Sequence, residues 1–369
     1  MRVVQIIDSL ATGGAERMAI NYANALAKKI EFSGLVATRK EGLLLDQINE
    51  KVSYLFLKKK SSIDFQAVFR LRKYIKKEKI DIIHAHSSSF FIAVLVKLTF
   101  LKIKIIWHDH YGISQDLGSR KNVSLKLGSF FFKGIISVNT ALKTWAESYL
   151  FCSDIMYFPN FIDEFSSSNE KIFLHGSEGK RIICVANLRQ QKNHELLLNA
   201  ASLIRDKFPE WSFHLFGKDF KDSYSYRLNR IVMNLKLHEN VFFYGAVNNT
   251  GTALQQCDIA VLSSLSEGLP LAILEYGLYK LPVVATNVGE ISKVITSEKE
   301  GLIVESNNIN QFVESIQNLI VNENRRKEMG EKLNKRILLN YSEESIVKDY
   351  ILWLNSLTKL TFPNPIIQR

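Results

Sequence analysis

The residues richest in chemical possibility lie in the stretch 263–289, SSLSEGLPLAILEYGLYKLPVVATNVG. A strand-like run at 258–262 feeds a Ser/Gly loop, and Pro270 suits the first position of a helix, where its missing N–H costs nothing. Backbone amides around Leu271 and Ala272, unpaired at a helix start and reinforced by the helix dipole, favour a phosphate group. Glu267 stays on the loop, whereas Glu275 falls about one and a half turns inside the helix. A carboxylate accepts hydrogen bonds from vicinal hydroxyls, so two of them flanking a phosphate site suit a sugar on one side and a ribose on the other.

Three other places carry suitable groups. Gly13 and Gly14 follow a strand and open a helix, where paired glycines let the backbone approach a ligand closely; the G-x-G-x-x-G spacing of a dinucleotide fingerprint is absent. In VANLRQQKNH (185–194), Arg189 and Lys192 sit at a strand-to-helix turn, where a lysine on its own reads as an exposed helix-start residue. His108, in IIWHDH, ends a strand, and strand carboxyl ends form the ligand crevice of open α/β sheets. His110 is the second choice there, while His84 and His86 read as structural residues lining the cleft. No D-x-D occurs, and no His, Asp or Glu group has metal-ligand spacing, so no metal is expected.

These groups need rigid elements behind them. Strand-like runs fall near 3–8, 34–38, 52–57, 80–84, 104–108, 134–138 and 155–158, then near 181–185, 212–216, 241–244, 259–262, 283–286 and 301–304. Helix-length amphipathic runs separate most of them, the pattern of βαβ units and parallel sheets. Residues 159–179, rich in Ser, Asn, Asp and Glu, suggest a linker, and the tail from 309 to about 360 suggests two or three helices. The last apolar helix, near 350–357, needs a surface to cover.

The 369 residues leave room for about two domains, and 46% hydrophobic with 23% charged residues excludes a disordered chain. Cys152, Cys184 and Cys257 fit neither a zinc spacing nor a closed disulfide set, which suits a reducing cytoplasm. The N-terminus resembles no signal peptide, and the most apolar run, FFIAVLVKLTFL (90–101), is too short to span a bilayer. Residues 1–165 hold 24 Lys and Arg against 15 Asp and Glu, while the remainder holds 24 against 22. Most of the net charge of +11 therefore lies in the first half, pointing to a polyanionic partner such as nucleic acid or an anionic membrane surface. Lys58-Lys59-Lys60 and FQAVFRLRKYIKKEK (65–79) form its basic amphipathic segment, with Phe90, Phe91 and Phe130 to Phe132 as candidate interfacial anchors.

Glu267 and Glu275, with Gly268, Pro270 and LPVVAT (281–286), resemble the E-x7-E region of family-four retaining glycosyltransferases of GT-B architecture, and Gly13-Gly14-Ala15-Glu16-Arg17 resembles that family's glycine loop. The resemblance implies two Rossmann-like domains with parallel sheets facing across a cleft. Residues 1–163 would be the acceptor side and 164–340 the nucleotide-sugar side; a helix within 341–369 would pack back on the first. It implies that Glu267 contacts donor-sugar hydroxyls, Glu275 grips the ribose, and the amides of Leu269, Leu271 and Ala272 lie near the diphosphate. Lys192 matches the family lysine and Gly217 the glycine of the next crevice turn; many relatives have Arg where this chain has Asn187, a contact that Arg189 would replace. His108 takes the place of the family histidine beside the donor sugar.

The implied reaction is metal-independent transfer of a sugar, with retention, from a nucleotide diphosphate to a hydroxyl of a glycan or polyprenyl-diphosphate-linked acceptor. It would take place in surface-polysaccharide synthesis at the inner face of the membrane, with no cofactor and no nucleic acid. A nucleotide-sugar 2-epimerase of the same fold is the nearest alternative, opposed by the glycine loop together with the glutamate pair. A non-catalytic glycan-assembly or nucleic-acid-binding protein is the other. Intact Glu267, Glu275 and Lys192, and basic segments without interleaved aromatics, oppose it.

Overall fold

The computed structural model describes residues 1–112, 117–118, 120, 123–162, 172–248 and 250–358. β1 (Arg2–Ser9), β2 (Phe32–Lys40), β3 (Ser53–Phe56), β4 (Ile82–His86), β5 (Lys104–Asp109), β6 (Phe132–Ser137) and β7 (Ile155–Tyr157) form one parallel sheet in the order 3-2-1-4-5-6-7. β8 (Arg181–Val185), β9 (Ser212–Phe216), β10 (Val241–Gly245), β11 (Ile259–Leu262), β12 (Val283–Thr286) and β13 (Leu302–Val304) form a second, in the order 10-9-8-11-12-13. Each sheet has helices on its faces, so its central strands are buried throughout: β4, β9, β11 and β12 have no exposed residue, although β4 carries His84 and His86 and β9 carries Ser212 and His214.

The strand order reverses between β1 and β4 in the first sheet and between β8 and β11 in the second. Chains leaving neighbouring strands in opposite directions open a crevice at such points. Gly13-Gly14 follows β1, Ser87 follows β4, Asn187 follows β8 and the Glu267 loop follows β11. The residues that carry the chemistry thus stand at the two switch points.

Part of the expected linker is core. Phe161 is fully buried, Asn21 donates to its carbonyl, and Ile162 bridges to Ser342. Residues 163–171, and with them the expected boundary at 163/164, lie outside the described residues. The tail forms helices Ile309–Val321, Glu323–Asn340 and Glu343–Thr358. The last of these crosses to the first sheet, burying Ile346, Val347, Tyr350, Leu354 and Leu357 against Val3, Tyr22, Ile82, Ile106 and Ile136. The contact is close: a Cβ at Gly134 of β6 would come within 2.8 Å of Trp353.

Candidate active site

A cleft of about 740 Å³ lies between the carboxyl ends of the two sheets. Every expected site residue except His108 lines it: Gly13 and Gly14 on one wall, with Arg189, Lys192, Gly217, Glu267, Gly268, Leu269, Leu271, Ala272 and Glu275 on the other.

Glu267 is only 5% exposed, and Lys192 Nζ lies 2.5 Å from its Oε1, which also accepts from Ser264 Oγ at 2.6 Å. The Lys192 turn is held by the same loop, since Ser263 Oγ donates to Lys192 O and the Leu265 amide to Gln191 O. Behind the loop, Gly289 has φ +59°, and a Cβ there would lie 2.3 Å from Glu267 O, so only glycine lets the two segments touch. Helix Leu271–Leu278 is capped by Pro270 in an extended conformation, one position earlier than expected, and its first residues, Leu271 and Ala272, line the cleft.

Glu275 accepts from Thr250 Oγ1 at 3.4 Å. Burial raises its carboxyl above the ordinary range, and the attraction of Arg17 opposes this. Arg17 also joins the two walls, donating to Gln47 on its own side and to Asn248 O on the other. Glu16, which accepts from Ser9 Oγ, is likewise raised by burial.

Gly217 is a close-approach glycine, because a Cβ would sit 2.0 Å from Ala186 O. Asn187 beside it donates to Thr12 O across the cleft at 3.1 Å and accepts from the Lys218 amide at 2.8 Å. Its side chain is therefore engaged by backbone. Arg189 is exposed at the cleft mouth, its guanidinium 4.7 Å from the Phe220 ring centroid, with Lys218 Nζ at 4.9 Å from the same ring.

The structure corrects the histidine assignment. β5 runs on to Asp109, so His108 remains inside the sheet, paired in register with His86 and 1% exposed beneath Tyr22. His110 is the first residue past the strand end and lines the cleft instead. Sequence spacing also missed a cluster: the ligand atoms of His84, His86 and His108, from two adjacent strands, lie within 4.8 Å of one another. Most of their ring nitrogens are engaged. His84 Nε2 meets His108 Nδ1 at 3.1 Å, His84 Nδ1 meets Tyr350 Oη at 2.8 Å, and His86 bonds Gln5 and His110. Burial pulls all three well below the ordinary histidine range and His110 down to about 3, so the stack is neutral.

Two parallel-sheet domains facing across a cleft, with cations and carboxylates at both switch points, define a GT-B glycosyltransferase architecture. Residues 12–164 match the family described as Glycosyltransferase Family 4, and residues 166–336 match Glycosyl transferases group 1. The chain belongs to this glycosyltransferase family and is a glycosyltransferase. An uncharacterized glycosyltransferase of Haemophilus influenzae is 26% identical over 92% of this chain and 96% of its own length. A UDP-Gal:alpha-D-GlcNAc-diphosphoundecaprenol alpha-1,3-galactosyltransferase of Escherichia coli is 27% identical over 85% of this chain and 86% of its own. The fold is shared with Anabaena HepE, whose crystal structure holds UDP-glucose, at a TM-score of 0.78, 15% identity, and coverage of 96% of this chain and 100% of that one.

Glu16, Arg17 and Thr250 line the cleft but escaped the sequence reading as site residues, and His110 stood in it only as the second choice. Glu16 and Arg17 were visible in the glycine loop, and the first helical turn places them beside it. Thr250 gave no signal, since only the approach of its short helix to Glu275 marks it.

Proposed function

We propose that this glycosyltransferase moves a hexose or hexosamine, with retention and without a metal, from a UDP-sugar to a hydroxyl of a diphosphate-linked lipid glycan. The observation that carries the reading is the Lys192–Glu267 pair on the cleft wall, beside the free amides of helix Leu271–Leu278 and across from Gly13-Gly14. The helix start, Lys192 and Arg189 take the diphosphate, Glu267 and the loop behind it take the sugar, and Glu275 takes the ribose hydroxyls. The bond from the anomeric carbon to the diphosphate oxygen breaks, the acceptor oxygen bonds that carbon on the same face, and its proton passes to the departing diphosphate. These cations offset the charge that a metal would otherwise neutralise. The donor and acceptor classes come from the relatives: the Escherichia coli enzyme is named for UDP-Gal and a diphosphoundecaprenol acceptor, and HepE binds UDP-glucose.

The lipid acceptor implies work at a membrane face. No helix among the described residues is long and apolar enough to cross a membrane. Helix Phe65–Lys77 buries Ala67, Val68, Leu71 and Ile75 and leaves Phe65 and Phe69 at 70% and 60% exposure beside Lys73, Lys76 and Lys77. This helix is the docking face. Phe132 and Lys59 take no part in it, since both are buried, and of Phe130 to Phe132 only Phe130 is well exposed. A screen of nucleotide sugars by thermal shift and hydrolysis tests the donor, because a ligand of the folded state raises its melting temperature. A UDP-hexose should stabilise the protein; stabilisation by no nucleotide sugar would remove the reading.

A further inference from the structure

His110 Nε2 lies 2.9 Å from His86 Nδ1, and His86 Nε2 lies 2.8 Å from Gln5 Oε1. Gln5 and His86 are fully buried. An amide oxygen only accepts, so His86 must carry its proton on Nε2, which leaves Nδ1 as a bare lone pair. A neutral imidazole has one proton, so His110 must place it on Nε2 to donate to that lone pair. Its Nδ1 is then unprotonated, and it has no hydrogen-bond partner among the described residues. Burial holds His110 far from imidazolium at neutral pH, so one tautomer satisfies the whole chain.

We propose that Gln5 and His86 are positioning residues that lock His110 in its Nε2–H tautomer, presenting the Nδ1 lone pair to the cleft as the acceptor for a sugar hydroxyl. The use of that lone pair rests on the glycosyl-transfer reading above; the tautomer does not. Strand pairing fixes the relay. Gln5 on β1 pairs with His84 on β4, two residues before His86, and His86 pairs with His108 on β5, two residues before His110. The side chains of i and i+2 share a face, so the three strands hand one hydrogen-bond path from the middle of the sheet to its carboxyl edge. Ring contact of His110 with His108, tilted with centroids 3.9 Å apart, and stacking on His86 at 5.2 Å keep the imidazole from turning over. A hydroxyl that donates to Nδ1 has its oxygen lone pairs turned away from the ring, so the relay orients the hydroxyl as well as binding it.

The test begins with the wild-type protein and needs no substrate. Nitrogen-15 NMR of histidine-labelled protein, with the His110 resonances identified by their loss in His110→Gln, reads the protonation of each ring nitrogen. The expected result between pH 6 and 8 is a neutral His110 with a bare Nδ1. A proton on Nδ1, or a mixture of tautomers, overturns the proposal, because Gln5 would then present its NH₂ group. His86→Phe removes the acceptor, while His86→Gln restores one through its amide oxygen. The turnover number should fall roughly tenfold in His86→Phe with the donor KM unchanged, and should recover in His86→Gln. Equal turnover in all three proteins overturns the relay. Should His86→Phe fail to fold, the wild-type spectrum alone decides. Parallel fall of donor hydrolysis and transfer assigns the hydroxyl to the donor, whereas a fall in transfer alone assigns it to the acceptor. Were no nucleotide sugar turned over at all, the activity reading would fail, while the tautomer would still stand or fall on the spectrum.

Discussion

Lys192 Nζ and Glu267 Oε1, from loops that follow two adjacent strands of the second sheet, meet at 2.5 Å on the cleft wall. The pair accounts for a nearly buried carboxylate: the ammonium and the Ser264 hydroxyl compensate it. It also ties the group proposed to hold the sugar to the group proposed to hold the diphosphate.

That link separates the two glutamates kinetically. Glu267→Ala should lower the turnover number most, because it misplaces the reacting sugar and releases Lys192. Glu275→Ala should mainly raise the donor KM through loss of ribose binding. Steady-state kinetics with a UDP-sugar checks both, and an unchanged turnover number in Glu267→Ala would end the assignment.

The proposed charge compensation by side chains rather than a metal predicts that activity persists in EDTA. Lys192→Ala should lose roughly 10²-fold or more in turnover, as for any charge partner of a leaving group. Loss of activity in EDTA with rescue by manganese would contradict this.

Much of this was legible in sequence. Among the described residues a strand stands at each run expected to form one, because a strand covered on both faces is largely apolar. The crevice residues were legible because turns after strands tolerate Gly, Pro and charge where strand interiors do not. His108 misled for a definite reason. His108 and His110 share a face and differ only in depth, and depth depends on where β5 ends, a boundary that the pattern IIWHDH does not mark. The histidine cluster was hidden because its members are neighbours across strands, not along the chain.

The buried histidines give the fold an acid limit. Burial holds His110 and His214 at about 3 and His194 at about 4, against 6.5 when unfolded. Below pH 6.5 the unfolded chain takes up protons that the native state refuses, so the stability present above that pH is lost as pH falls. The loss is on the order of 1.4 kcal/mol per pH unit for each such histidine. The raised carboxyls of Glu16, Glu275 and Asp109 offset part of it, since their protonation relieves a burial cost. Urea unfolding at pH 7, 6 and 5 should show a falling midpoint; a flat or rising series would mean that these histidines are hydrated.

Docking through helix Phe65–Lys77 predicts co-sedimentation with anionic vesicles that is strong at low salt and weak at high salt. Each basic residue near such a surface contributes about 1 kcal/mol, screened over a Debye length of about 8 Å at physiological salt. Phe65→Ser with Phe69→Ser should weaken binding without changing the melting temperature, since both rings are exposed. Absence of binding at low salt would leave the helix a solvated face and favour a soluble acceptor.

The most direct measurement is the anomeric configuration of the first product, read by proton NMR as transfer from an α-linked UDP-hexose to a diphosphate-linked lipid glycan proceeds in EDTA. Same-face displacement at the Glu267 and Lys192 wall predicts an α-linked product from the first turnover. A β-linked product would contradict the account, because it requires attack from the face opposite the diphosphate.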